Sequence, residues 1–500
     1  MWSESRSSIL PRRGDYATAP WRYPFDPMEG ERADGYTALQ AARALGNSNA
    51  NVPTASGGAL VNYIRLFLRI TTTMTKSSVA IIGTGPAGLA CGHFLHHRFD
   101  VTVYEKNDYV GGHANSVTVE HNGETVRFDT AFVVFNNAAY PLFMRLLSEL
   151  NVASMYCPMS FSFQIYPDGL QYMTRGLTYC FCDLENLLSW RFLRMLFEMV
   201  KFHRNAPEVL KDRKYRDYSI AEYVREKNYS EDFQHRFLIP LIAVTWSLPP
   251  DKMLDYPIVT LVEFLYHHGA LQGPLGRKHW RTVINGSRSY VEKITAPFND
   301  RILTNRGAAC VRRKNGAVEV SDSHGAIKTF DHVIFACHAD QALRLLADPT
   351  PLERELLSKF TYHHSRVAVH TDASLMPAKR RHWAGWNYYV HYDRDHNPRS
   401  STTYHMNTLQ KVSSTADYFV TFGDIDRVDD KKILKELTYE HPIFDLLAIN
   451  AQRELHKLNQ NGLSYFCGSY FKYGFHEDAF RTGVEVCRAL TGEPIWDQPA

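Results

Sequence analysis

The stretch "VAIIGTGPAGLACG", residues 79–92, constrains this chain more than any other. A short apolar run ends in Gly83-x-Gly85-x-x-Gly88 and passes into residues of helical preference, the order strand, tight turn, helix. Each glycine has its own task. Gly83 permits the turn, Gly85 lets backbone approach a pyrophosphate, and Gly88 lets the helix pack closely on its strand. The turn Gly83, Gly85, Pro86, Ala87 and Gly88 is therefore expected to hold a dinucleotide diphosphate on the positive end of a helix at about 86–97. "DVTVYE" (100–105) reads as the next strand and ends in Glu105, 22 residues after Gly83. A carboxylate there accepts from a ribose 2′-hydroxyl and repels a 2′-phosphate, which disfavours NADP and leaves NAD and FAD.

Five hundred residues exceed what one hydrophobic core usually serves, so two domains are expected, interleaved in sequence. A formal charge of +3 over that length gives no nucleic-acid footprint. The eight cysteines include a lone Cys180-x-Cys182 but no zinc-type spacing. No metal site is expected, and reduced thiols point to a reducing, cytoplasmic setting. No apolar run is long enough for a transmembrane helix. Residues 1–74 mix Pro, Gly and both charges without a period and read as a disordered extension.

Beyond Glu105 the pattern reads as a hairpin turning at Asn122-Gly123 and a helix at about 139–150. A mostly helical stretch follows at 185–270. β structure returns at 317–337, and "RVAVHT", "TTYHM" and "YFVTFG" are strand candidates between 361 and 425.

"YEKNDYVGGHANS" (104–116) separates the remaining cofactors. Glu105 and Lys106 are followed by Gly111-Gly112, then His113 and Ser116, and this resembles the diphosphate stretch of FAD proteins in the flavin amine oxidase and phytoene desaturase superfamily. Where that pattern usually carries Arg, this chain has His113, whose charge depends on pH. "CGSYFKYGFHEDAFRTG" (467–483) is similar to the superfamily's last flavin motif through Gly474, Glu477, Ala479 and Gly483. "GGHANSVTV", "AVTWSLPPDKMLDYP", "WRTVINGSRSYVEKI" and "HADQALRLL" resemble a subgroup found beside, or fused to, cyclopropane fatty acid synthases.

The resemblance implies an α/β fold with a discontinuous Rossmann-type FAD-binding domain (75–150, 281–346 and 461–495). A mixed α+β substrate domain (151–280 and 347–460) is interleaved with it. It implies non-covalent FAD contacted by the residues named so far, by Val311 at the adenine edge, and by Gly468, Ser469, Glu477, Asp478 and Ala479 near the flavin. Ala131 stands where glycine is expected.

For the substrate side, Trp386, Tyr388, Tyr404, Asn407 and Phe475 are candidate pocket residues, and His476 is the acid–base candidate. The expected activity is dehydrogenation of a fatty acyl chain on a lipid. Oxidation of an amine or amino acid is one alternative, and a non-catalytic flavin-bound partner of a lipid methyltransferase is another. "ENLLSWRFLRMLFEMVKFHR" (185–204) reads either as a core helix or as a helix lying on a membrane surface.

Overall fold

The computed structural model describes residues 76–496 apart from 168, 174–185, 187, 247–249, 270, 272–278, 396 and 461. The extension 1–74, Cys180 and Cys182 lie outside the described residues.

Strand β1 (Ser78–Ile82) is buried along nearly its whole length, as an apolar run in a sheet covered on both faces must be. Helix α1 (Pro86–Leu95) starts with proline at its first position, where no intrahelical N–H is lost. Strand β2 (Asp100–Tyr104) pairs in parallel with β1. The hairpin Ser116–His121/Glu124–Asp129 turns at Asn122 and Gly123, both at positive φ, as the Asn-Gly signal requires. Helix α2 (Pro141–Glu149) falls inside the expected 139–150.

Strands β3 (Phe161–Ile165) and β4 (Leu170–Met173) follow, then helices α3 (Trp190–Asn205), α4 (Ile239–Trp246) and α5 (Ile258–His267). The remaining elements used below are β5 (Ile302–Leu303), β6 (His332–Phe335), β7 (Thr361–His370), β8 (Trp386–Tyr392), β9 (Pro398–His405), β10 (Phe419–Gly423), β11 (Ile433–Ile443), β12 (Ser464–Phe466) and α6 (His476–Thr491).

Two sheets organise these elements. The first has the order β5-β2-β1-β6-β12 and is parallel throughout. It draws on three separated stretches of chain and packs α1 and α6 together on one side. Their contact is close because Gly483 has no side chain: a Cβ there would stand 2.5 Å from the Ala87 carbonyl oxygen. The second sheet has the order β11-β7-β10-β9-β8-β3-β4 and is antiparallel except where β8 meets β3. It joins residues 161–173 to residues 361–443, which flank in sequence the strands at 302–335 of the first sheet.

Strands β3 and β4 precede the mostly helical stretch. Strand β11 was not legible because Lys435, Glu436, Glu440 and Pro442 break its apolar pattern. It is an edge strand, where charges and proline are tolerated.

Candidate active site

The carboxyl ends of the parallel strands converge, which is where ligands bind in open α/β sheets. Gly83 follows β1, Glu105 follows β2, His338 lies just past β6, and Gly468-Ser469 lies just past β12. The three glycines of the first turn divide their work as the sequence suggests. Gly83 sits at φ +101°, and a Cβ on it would stand 2.7 Å from the Ala336 carbonyl oxygen. A Cβ on Gly88 would come within 2.0 Å of the Gly83 oxygen. Gly85 has nothing within 4 Å of where its Cβ would be, so open space faces the amino end of α1. Gly112 lies against that space, its own Cβ position 3.0 Å from the Gly85 Cα.

Glu105 ties the two glycine turns together. Its buried carboxylate accepts from the backbone and hydroxyl of Thr84 and from the Asn107 N–H, while the Thr84 hydroxyl accepts from Gly111 N–H at 3.2 Å. A carboxylate has about four acceptor sites, and three are used, so one remains for a ribose hydroxyl. The turn, the open space above Gly85 and the spare acceptor fit the adenosine-diphosphate half of FAD. Lys106 is exposed and leans on Gly307.

A continuous cavity of about 1130 Å³ runs from this turn into the second sheet. That exceeds the space of one ordinary small-molecule site. Pro86, His113, Ser469 and Ala479 line one part, and Trp386, Tyr404 and Phe475 line another. Phe475 stacks on Phe264 with centroids 5.0 Å apart, and Trp386 meets Tyr404 edge-on at 5.6 Å. Ala131 also faces the cavity, so its methyl group narrows the space that glycine would leave.

Polar groups of several expected residues are also engaged within the fold. Glu477 accepts from Leu142 and Phe143 N–H, both at 3.0 Å, and so caps α2; Arg481 pairs with it at 3.1 Å. Asp478 accepts from Phe475 N–H at 3.0 Å at the start of its own helix, and burial lifts it to about 7. Acids at helix starts satisfy donors that otherwise have no partner, which explains both outcomes. The Val311 carbonyl accepts from Ala347 N–H at 2.9 Å. Tyr388 is buried and Asn407 clamps a loop through Ser413, Ala416 and Tyr418; neither is among the residues lining the cavity.

His476 lines the cavity but is held as a packed ring. It stacks on Phe132 at 4.0 Å, its Nε2 shares a 2.7 Å hydrogen bond with the Tyr290 hydroxyl, and burial pushes it down to about 3. It is therefore neutral and a weak base near pH 7.

A polar corner was missed in the sequence. Glu440 on β11 holds His338 at 3.0 Å, a contact that keeps its carboxyl low at about 2. His113 and His441 stand beside it with ring centroids 5.3 Å apart. Burial, reinforced by His441 and His338, pushes His113 well below the ordinary histidine value. The position that usually carries a fixed cation is thus a neutral imidazole. The available signal was His338 itself, placed just past a parallel strand beside β1.

The comparisons with known proteins agree with this geometry. A family model described as flavin containing amine oxidoreductase matches residues 86–404. Among curated proteins no sequence matches. The fold is similar to that of a CLA-producing fatty acid isomerase from P. acnes, with a TM-score of 0.60 at 15% identity over 84% of this chain and 99% of that one. Cyclohexylamine oxidase from Brevibacterium oxydans IH-35A gives a TM-score of 0.61 at 14% identity over 83% and 99%. Putrescine oxidase bound to putrescine gives 0.57 at 14% over the same shares. At these identities the likeness is one of fold.

Proposed function

This chain belongs to the flavin containing amine oxidoreductase family and is an FAD-dependent oxidoreductase, and from that premise we propose that it dehydrogenates an acyl chain of a lipid. One observation carries the reading. Among the described residues lining the cavity there is a single carboxylate, Glu440, and no lysine or arginine. An amine substrate needs a site that stabilises a desolvated cation, and an amino acid needs a partner for its carboxylate. Glu440 is already engaged by His338 and Gln341. The position where amine oxidases commonly carry tyrosine is Phe475, which weakens half of a polar aromatic pair. A fatty acid isomerase also stands among the proteins of similar fold.

Bound FAD supplies the two-electron acceptor for a hydride. The chain's own residues do the rest. Phe264, Phe475 and Trp246 form an apolar wall that excludes water and aligns a hydrocarbon. Dehydrogenation also releases a proton, and the His338–Glu440 pair offers an acceptor for it on the cavity wall.

The test is anaerobic reduction of the purified yellow protein. Phospholipid vesicles with unsaturated or methyl-branched chains should bleach the flavin, and benzylamine, polyamines and amino acids should not. Bleaching by amines with inert lipid would replace this reading with the amine-oxidase one.

A further inference from the structure

Helix α3 is amphipathic in a way the core does not explain. One face carries Phe192, Met195 and Phe202 into the interior, all essentially fully buried. A second stripe, at spacings of three and four, leaves Trp190 76%, Leu193 38%, Phe197 70% and Val200 67% exposed, with Leu188 just before the helix at 89%. Large apolar side chains gathered on one exposed face mark a contact surface.

Two further observations identify what that surface meets. The first is charge. Arg191, Arg194 and Arg204 are exposed along the helix; Arg191 pairs with Asp232 at 2.7 Å and Arg194 with the inward-turned Glu198 at 3.4 Å, which leaves the surplus positive charge at Arg204. That surplus suits anionic headgroups and disfavours a second copy of the same face, which would set like charges opposite. The second is continuity. Met199 and His203 on the adjoining flank of α3 line the cavity, and that lining reaches the surface at Tyr156 and His279. The exposed stripe thus adjoins a flank of α3 that lines the active-site cavity.

We propose that α3 docks the protein on an anionic lipid bilayer, with the Trp190–Val200 stripe in the interface and the cavity-lining flank of the helix beside it. The Arg204 stem lies along the apolar layer and keeps its guanidinium group among the headgroups. Among the described residues no helix is long and apolar enough to cross a membrane, so the contact is peripheral. The direction in which substrate enters rests on the acyl-chain reading. Docking itself does not, and it is measured without turnover so that either idea can fail alone.

The experiment is sedimentation of the FAD-loaded full chain with sucrose-loaded vesicles of phosphatidylcholine, with and without phosphatidylglycerol. The wild type should bind the phosphatidylglycerol vesicles, and added salt should weaken that binding. The combined variant Trp190→Ser, Phe197→Ser, Val200→Ser should bind about tenfold more weakly, from the apolar area it removes, with unchanged flavin absorbance and thermal midpoint. Arg204→Gln should reduce both binding and its salt dependence. Leu447→Ser, an exposed apolar site elsewhere, should bind as wild type does. Wild type that stays in the supernatant with both vesicles, or a triple variant that binds as well as wild type, would overturn the proposal. So would a wild-type dimer that the triple variant dissolves.

Discussion

The two ends of the cavity are built by opposite means. At the diphosphate end, residues 83–113 make the site largely from backbone turns and the carboxylate of Glu105. At the substrate end, the wall is assembled from side chains on β8, β9, β11, α3, α4, α5 and α6, which lie far apart in sequence. Backbone geometry is dictated by residues a few places apart, whereas a wall of side chains depends on which strands pair. The first end is therefore governed by local chemistry and the second by topology.

The largest contrast lies within the glycine turn. Gly85→Val should abolish bound flavin yet leave the thermal midpoint equal to that of flavin-free wild type, because the side chain enters open space. Gly88→Ala should instead prevent folding, since its methyl group would stand 2.0 Å from a backbone oxygen. Absorbance at the flavin band and circular dichroism separate the two. A Gly85→Val protein that keeps its flavin would break the assignment of that space.

Glu105→Ala should show both effects together. It removes a ribose acceptor and leaves Thr84 and Asn107 donors without their partner, at a cost of about 1–3 kcal/mol. The expected result is weaker FAD binding and a thermal midpoint lower by a few degrees. Loss of flavin affinity at full stability would mean that the carboxylate has no structural part.

That pair of outcomes shows why one end was legible. Gly83, Gly85, Gly88 and Glu105 have tasks that spacing alone reveals, and the Asn122-Gly123 turn is of the same kind. The parallel sheet followed from those signals. The polar corner did not, because Glu440 and His441 sit on the edge strand β11, whose charges and Pro442 hide its period. What the Glu477 and Asp478 carboxylates bond to was hidden for a related reason. An acid at a helix start looks the same in sequence whether it faces a ligand or caps a helix, and only the position of α2 decides it.

The histidine corner gives a pH signature. Burial holds His441 at about 4 against 6.5 when unfolded. Between those values the unfolded chain binds more protons, so stability is intact near pH 7 and falls as pH drops toward 4. Asp478, raised to about 7, works in the opposite sense, binding a proton in the folded state between 3.8 and 7. His476 at about 3, His370 at about 4 and the lowered His113 act in the same sense as His441 and together outweigh Asp478. The urea midpoint of flavin-free protein should therefore fall between pH 7 and 5, and His441→Gln should reduce the slope. An unchanged slope would place His441 in contact with water.

A smaller effect separates wall from scaffold. Asn407→Ala should lower the thermal midpoint through three lost hydrogen bonds while flavin reduction keeps its rate. Trp386→Ala should do more to the rate than to flavin content. The reverse pattern would exchange their roles.

The most direct measurement pairs flavin reduction with the mass of the lipid. Holoprotein and one equivalent of phospholipid are mixed anaerobically, and the acyl chains are weighed after the absorbance has settled. Dehydrogenation predicts one flavin bleached for each chain that has lost two hydrogens. A chain of unchanged mass with a moved double bond and oxidised flavin would make the protein an isomerase. Bleaching that only amines produce would contradict the acyl-chain account altogether.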